Sequence, residues 1–209
     1  MAEMTAISAA VKGGRKKIVE QLVKEALEAG VNAGVILNKG LVPGMNELGE
    51  AFKNGEVYVP EVLVAARAMK AGTAILKPLL VAENVQSLGT VAIGTVEGDL
   101  HDIGKNLVGM LLEGTGFTVV DLGEDVSPAR FVEAVRNGAQ IIGMSALLTT
   151  TMTNMKATID LLKAEGLRDK VKVMVGGAPI TQEYADSIGA DGYSTDAASA
   201  AELAKKLIA

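Results

Sequence analysis

Two periodicities divide the chain. From residue 4 to about residue 82 apolar residues recur with a helical period, and from about residue 90 short apolar runs alternate with helical ones. Ile18, Leu22, Val23, Ala26 and Leu27 fall on one face of a helix. Gly13-Gly14 breaks the chain before that helix and Gly30 closes it. Residues 31–38 predict another short helix. Pro43 falls near a helix start at 42–45, where its missing N–H costs little, and Asn54-Gly55 ends that helix. Pro60 opens the last long helix, which carries Val62, Leu63, Ala66, Met69, Ile75, Leu76, Leu79 and Leu80. Four or five helices with short links predict an antiparallel bundle.

The second region predicts strands at 90–95, 117–121, 140–145, 171–175 and 192–193. Helices are predicted at 103–113, 128–137, 152–164, 181–188 and 197–208. Continuous apolar runs such as Ile141-Ile142 and Val171 to Val175 are what parallel strands buried on both faces look like. Five strand-then-helix repeats predict a flavodoxin-like, doubly wound, five-stranded parallel sheet after the N-terminal helical bundle. The expected domains are 1–86 and 87–209, joined by the polar stretch 82–89. Ser127-Pro128 and Asp196 are good helix starters. Glu113, Asp125 and Glu133 are expected on the solvated face, and Met69, Met110 and Met144 in the core.

Composition narrows the chemistry. The chain is 49% hydrophobic but only 3% aromatic, so its core must be aliphatic and base-stacking platforms are not expected. A net charge of -5 likewise argues against nucleic acid. Without cysteine this chain can form no disulfide, zinc–thiolate or iron–sulfur site. No apolar segment approaches the roughly 18–20 residues of a membrane span, and the start lacks a secretory pattern; a soluble cytoplasmic protein is expected. Phosphate-loop and dinucleotide glycine fingerprints are absent, as is a nucleophile elbow.

One stretch concentrates candidate chemistry. The run from Thr90 to Ile93 feeds directly into Gly94-Thr95-Val96-Glu97-Gly98-Asp99-Leu100-His101-Asp102-Ile103-Gly104-Lys105-Asn106. The sole histidine therefore sits on a strand-to-helix loop, where open α/β sheets place ligands. Asp99, two residues earlier, can accept the proton on one ring nitrogen and leave the other free for a metal. Gly104, three residues later, lets a planar ligand approach the backbone. Taken singly, each residue has a plainer reading. His101 could be a hydrogen-bonded structural residue, Asp99 a helix cap, and Ser145, Leu147 and Thr149 the end of a strand. Gly176-Gly177 could be an ordinary turn, and the helical region a packing or oligomerisation domain.

Taken together, the motifs resemble a known family. Asp99-x-His101-x-x-Gly104 after one strand, Ser145-Ala146-Leu147 after a later one and Gly176-Gly177 after a third are similar to a cobalamin-binding domain. The run Asp99 to Asn106 matches through eight consecutive positions. Gly44-Met45-x-x-x-Gly49-x-x-Phe52-x-x-Gly55-x-x-x-Val59-Pro60-x-Val62 resembles the helical cap that precedes that domain in methionine synthases and corrinoid methyl carriers.

The resemblance implies that His101 is the lower axial cobalt ligand, replacing the cofactor's own benzimidazole. It also implies that Asp99 and Thr151 form its proton relay, although serine is usual at the Thr151 position in methionine synthases. Gly98, Leu100, Asp102, Ile103 and Gly104 are implied to line the cofactor, with Ser145, Leu147, Thr149, Gly176, Gly177 and Asp196 from the later loops. Phe52 and Val59 are implied to cover the methyl-bearing face; leucine is frequent at the Val59 position, so the lid would be slightly looser. A cap that covers the cofactor would have to swing aside for partner proteins.

The implied function is that of a stand-alone corrinoid protein of a three-component methyltransferase system. Its cofactor would be cobalamin or a related corrinoid, methylcobalamin in the loaded form. Co(I) would take a methyl group from a substrate-specific methyltransferase. Methyl-Co(III) would give it to an acceptor methyltransferase using tetrahydrofolate or a thiol coenzyme. A reductive activator would rescue Co(II). The chain would not be catalytic alone, and neither nucleic acid nor membrane would be a partner. Two rivals are a cobalamin-binding sensor or regulator, which would usually carry a DNA-binding domain, and the small subunit of a cobalamin-dependent mutase, which would lack the cap motif. The donor is open among methylamines, methanol, methyl thiols, betaines and aryl methyl ethers, because another chain selects it.

Overall fold

The computed structural model describes residues 2–82 and 87–209, which divide into two compact units. The first holds five helices: α1 (Ala2–Lys12), α2 (Lys16–Glu28), α3 (Ala33–Ile36), α4 (Val42–Lys53) and α5 (Val59–Ala82). Helix α1 packs against α2, α4 and α5, and α2 lies along α5. The buried face of α2 is Val19, Val23 and Ala26, so the stripe is displaced by one residue and Ile18 faces out. Gly44 lets α4 close on α1, because a Cβ there would meet the Ser8 carbonyl oxygen at 2.5 Å.

Helix α4 starts at Val42 with Pro43 in its first turn, as expected, but no break separates it from α3. The chain stays helical from α3 into α4 through a π-turn at Leu37–Leu41, where the Val42 N–H donates to the Leu37 carbonyl. Pro43 supplies the reason. It has no N–H to give to residue 39, and its ring would crowd that carbonyl, so the wider turn absorbs the conflict. Helix α5 runs on through Pro78, and Leu79 is exposed rather than part of its packed stripe. Half of the expected joint at 82–89, residues 83–86, lies outside the described residues.

The second unit is built on five parallel strands: β1 (Thr90–Thr95), β2 (Thr118–Asp121), β3 (Ile141–Ser145), β4 (Lys172–Gly176) and β5 (Gly192–Tyr193). Between and after them run α6 (Ile103–Gly114), α7 (Pro128–Arg136), α8 (Thr153–Ala164), α9 (Gln182–Ile188) and α10 (Ala197–Ile208). The order β2-β1-β3-β4-β5 makes this the flavodoxin-like arrangement. The direction in which successive strands are added across the sheet reverses between β1 and β3, which opens a crevice at the carboxyl ends of those two parallel strands.

Register sets what reaches that crevice. Thr95, Ser145 and Gly176 are aligned across β1, β3 and β4, so the three motif loops leave the sheet at one level. Beneath them lies an aliphatic core around the fully buried Phe131, with Ile142, Met155, Ile159, Leu162 and Val173. Burying such an aromatic ring contributes about 2–3 kcal/mol and fixes α7 on the sheet. Asp196 caps α10 by accepting the Ser199 N–H (2.8 Å), whereas Ser127 makes no side-chain cap and α7 starts on Pro128 alone. Met69 and Met144 are buried; Met110 is only half-buried, because its α6 position lies at the margin of the packed face.

Candidate functional site

The loop after β1 is held in shape by its neighbours. Gly98 adopts φ +80°, which turns the chain so that the Asp99 side chain points inward. Asp99 is completely buried, a position that an aspartate occupies only when paired. Its Oδ1 accepts the His101 backbone N–H (3.0 Å) and the His101 Nδ1–H (2.7 Å). Its Oδ2 accepts the Leu147 N–H (2.8 Å), the Leu148 N–H (3.3 Å) and the Thr151 hydroxyl (2.8 Å). Five donors converge on one carboxyl, an arrangement that favours the acceptor-only ionised form. Burial pushes the Asp99 carboxyl up, but the hydrogen bonds from Leu147, His101 and Thr151 outweigh it and hold the group well below the usual carboxylate range.

An ionised acceptor at Nδ1 fixes the imidazole tautomer. In the neutral ring the proton then belongs on Nδ1, which leaves the lone pair to Nε2. Among the described residues no hydrogen bond reaches Nε2, and about half of the His101 side chain is exposed. Around it the surface is apolar: Leu100 is 65% exposed, Ile103 78%, Leu147 44% and Leu148 42%. Four large aliphatic side chains open to solvent on two adjoining loops mark a surface that something covers. Gly104 sits in the first turn of α6 with open space where a side chain would project.

Other expected residues fall in different roles. Asp102 Oδ2 accepts from the Asn106 side chain (2.8 Å), which stabilises the first turn of α6. Ser145 is half-buried at the end of β3, and its carbonyl accepts the Val96 N–H (3.0 Å). Thr149 is exposed on the third loop. Gly176 has room for a side chain, with the nearest atom at 3.7 Å. Gly177 has none: φ is +128°, and a Cβ would lie 1.8 Å from the Ala146 carbonyl oxygen. Glycine at 177 is thus required by the protein itself, where a β4 loop crosses the β3 loop. Asp196 is committed to Ser199 and Thr195, whose hydroxyls lie 2.7 and 3.1 Å away. Phe52 ends on α4 and Val59 begins α5, both half-buried in the helical unit.

The structure adds residues that sequence reasoning missed. Asp125 belongs to the loop framework rather than to a merely solvated face; its Oδ1 accepts the Gly98 N–H (2.7 Å). Lys105 is buried and pairs with Asp121 Oδ1 at 2.5 Å, tying α6 to the end of β2. Asn154 donates to the Glu97 carbonyl (2.8 Å), and the Tyr184 hydroxyl donates to the Met152 carbonyl (2.6 Å). Burial pushes the Tyr184 phenol up and keeps it a donor. Lys105 and Asn106 within the motif run were the only signal in the sequence; the other partners are backbone groups on distant loops.

Among the described residues no cluster of three or more His, Cys, Asp or Glu could hold a bare metal ion. A metal on His101 would have to arrive with most of its ligands. Nor, among the described residues, is any helix long and apolar enough to cross a membrane.

Comparison with known proteins agrees with this chemistry. Two family models match, each described as a B12 binding domain, over residues 89–202 and 4–77. The chain is 48% identical over 196 residues to the dimethylamine corrinoid protein of Methanosarcina barkeri, covering 93% of this chain and 92% of that one. It is equally 48% identical, over 184 residues, to the trimethylamine corrinoid protein of the same organism, covering 87% and 85%. The crystal structure of the methanol:cobalamin methyltransferase complex MtaBC from M. barkeri contains a chain that matches with TM-score 0.87 and 31% identity, over 99% of this chain and 80% of that chain.

Proposed function

The chain belongs to the corrinoid proteins built on the B12 binding domain, and from that premise we propose that it is the methyl-carrying subunit of a methyltransferase system. It would receive the methyl group from a substrate-specific methyltransferase and present it to a second one. When bound, the corrinoid supplies the cobalt centre on which the methyl group rides. Everything else falls to side chains of this protein.

The observation that carries the reading is the His101 imidazole, with Nδ1 bound to buried Asp99 and Nε2 unengaged above an apolar surface. Through that nitrogen His101 would hold the cobalt of the corrinoid. The residues fit the ring as well. Leu100, Ile103, Leu147 and Leu148 offer apolar contact, and the open space at Gly104 and Gly176 leaves room for the ring edge and the nucleotide tail. Asp99 and Thr151 would retain the Nδ1 proton, so that Nε2 keeps its lone pair and the imidazole stays a ligand. Phe52 and Val59 of the helical unit are apolar, and in the role that the resemblance implies for them they would exclude water without offering a competing ligand.

Partners follow from the relatives. The match within a methanol:cobalamin methyltransferase complex supports a methyltransferase that docks on this chain. A methylated amine is the first donor class to test, because the two M. barkeri corrinoid proteins described above are each named for one. Equal similarity to the two leaves the choice between dimethylamine and trimethylamine with the partner. A reductive activator would return oxidised cobalt to its reactive state. The test is to load the chain with hydroxocobalamin, reduce it, and add methylamine methyltransferases with their donors while following the visible spectrum. Donor-dependent methylation supports the carrier role. A chain that holds cobalamin but is methylated with none of these donors, nor with methanol and its methyltransferase, contradicts it.

A further inference from the structure

The His101 loop has a second anchor besides Asp99. Three consecutive residues ahead of the histidine have their backbone held from outside the loop. The Glu97 carbonyl accepts from Asn154 (2.8 Å), and the Gly98 N–H donates to Asp125 Oδ1 (2.7 Å). The Asp99 carbonyl accepts the Asp125 backbone N–H (3.1 Å). Asp125 thus grips the Gly98–Asp99 segment at two points, with its side chain and with its own amide. It does so at φ +52°, where it is the only non-glycine residue with positive φ among the described residues. Aspartate and asparagine tolerate that region better than other residues, at a cost that persists only where the surroundings impose it. The neighbouring isolated bridge between Val96 and Val126 brings the two loops to this distance.

We propose that Asp125 is a positioning residue for the cobalt ligand: it locks the Gly98–Asp99 backbone so that the Asp99 carboxylate meets His101 Nδ1 before any cofactor arrives. The proposal rests on the reading of His101 as the ligand, and it says where that ligand's geometry is set. Asp99 faces five donors from two loops, and its carboxylate can satisfy them only from one backbone position. A backbone free to turn at Gly98, which has no side chain to restrain it, would lose that alignment. The Asp125 clamp removes this freedom and leaves the imidazole pre-organised with Nε2 outward.

The single histidine makes the test direct, in the full-length chain without cofactor. Nitrogen-15 shifts of the His101 ring report which nitrogen holds the proton. In the wild type the Nδ1–H form dominates. Asp125→Gly keeps the left-handed backbone and the amide but removes the carboxylate; the ring should then move toward the mixture, mainly Nε2–H, of a free imidazole. Asp125→Asn keeps an acceptor oxygen and tolerates the same φ, so it should restore the wild-type signals. Hydrogen exchange at the Gly98 amide of the wild type gives a second readout that needs no variant. Although exposed, that amide should exchange at least about tenfold more slowly than a free one. Wild-type ring shifts in Asp125→Gly, equal disturbance in Asp125→Asn, or an unprotected Gly98 amide would each overturn the proposal. Because cobalt is absent throughout, failure here is separable from failure of His101 as a ligand, which is read only in the loaded chain.

Discussion

The two sides of the His101 ring contrast sharply. Behind Nδ1 every group is polar and paired: the buried Asp99 carboxylate, the Leu147 amide and the Thr151 hydroxyl. Around Nε2 the neighbouring loops expose leucine and isoleucine, and no hydrogen bond is found among the described residues. The first side is completed by the fold itself and belongs to its stability. The second contributes little to folding and only gains by being covered. A substitution behind the ring should therefore cost folding energy, and one in front should cost ligand binding alone.

The largest expected effect lies behind the ring. Asp99→Ala would strand the Leu147 and His101 amides without an acceptor and leave the Thr151 hydroxyl only the Leu148 carbonyl (3.0 Å). Chemical denaturation should show a loss of about 2–4 kcal/mol. Acid should reveal the same group. Its folded carboxyl is held below the ordinary carboxylate range, so its stabilising contribution is complete above about pH 4 and declines as pH falls toward the lowered folded value. Denaturant midpoints measured against pH should fall on that acid limb in the wild type, and Asp99→Asn should flatten it. A smaller effect is expected from Thr151→Val, which removes one donor to Asp99 at a cost of about 1 kcal/mol. Smallest on folding are the front-side changes. Ile103→Ser and Gly104→Ala should stay within about 0.5 kcal/mol of the wild type. The same variants should weaken cobalamin retention in equilibrium dialysis by roughly tenfold. If Ile103→Ser unfolds the chain as readily as Asp99→Ala, the contrast between the two sides is wrong.

How much of this the sequence carries depends on the kind of partner each residue has. Strands β1, β3 and β4 are legible because they are buried on both faces and read as apolar runs; β1 spans its expected range, β3 starts one residue later, and β4 is displaced by one residue. In α2 the stripe was misplaced because Ile18 and Val19 are adjacent and both apolar, so hydropathy alone does not choose between them. The π-turn before α4 is a compensation for Pro43 that no periodic signal encodes. At the site, Asp99 and His101 stand two residues apart in a recognisable motif. Asp125 and Asn154 reach backbone groups 27 and 57 residues away, and their role appears only once the loops meet. The resemblance implies that Gly177 lines the cofactor; its conformation and the Ala146 carbonyl require glycine there in any case, which the sequence does not show.

The most direct test of the central claim uses the fact that this chain has one histidine. The full-length protein is labelled with nitrogen-15 histidine alone, loaded with unlabelled cobalamin, reduced to Co(II), and its electron paramagnetic resonance spectrum recorded. If His101 holds the lower face of cobalt, the superhyperfine lines of the natural protein are triplets and become doublets on labelling. Triplets that persist in the labelled protein would mean that the cofactor's own benzimidazole remains bound. Absence of any nitrogen splitting would mean that no base is bound, and either result would contradict the account.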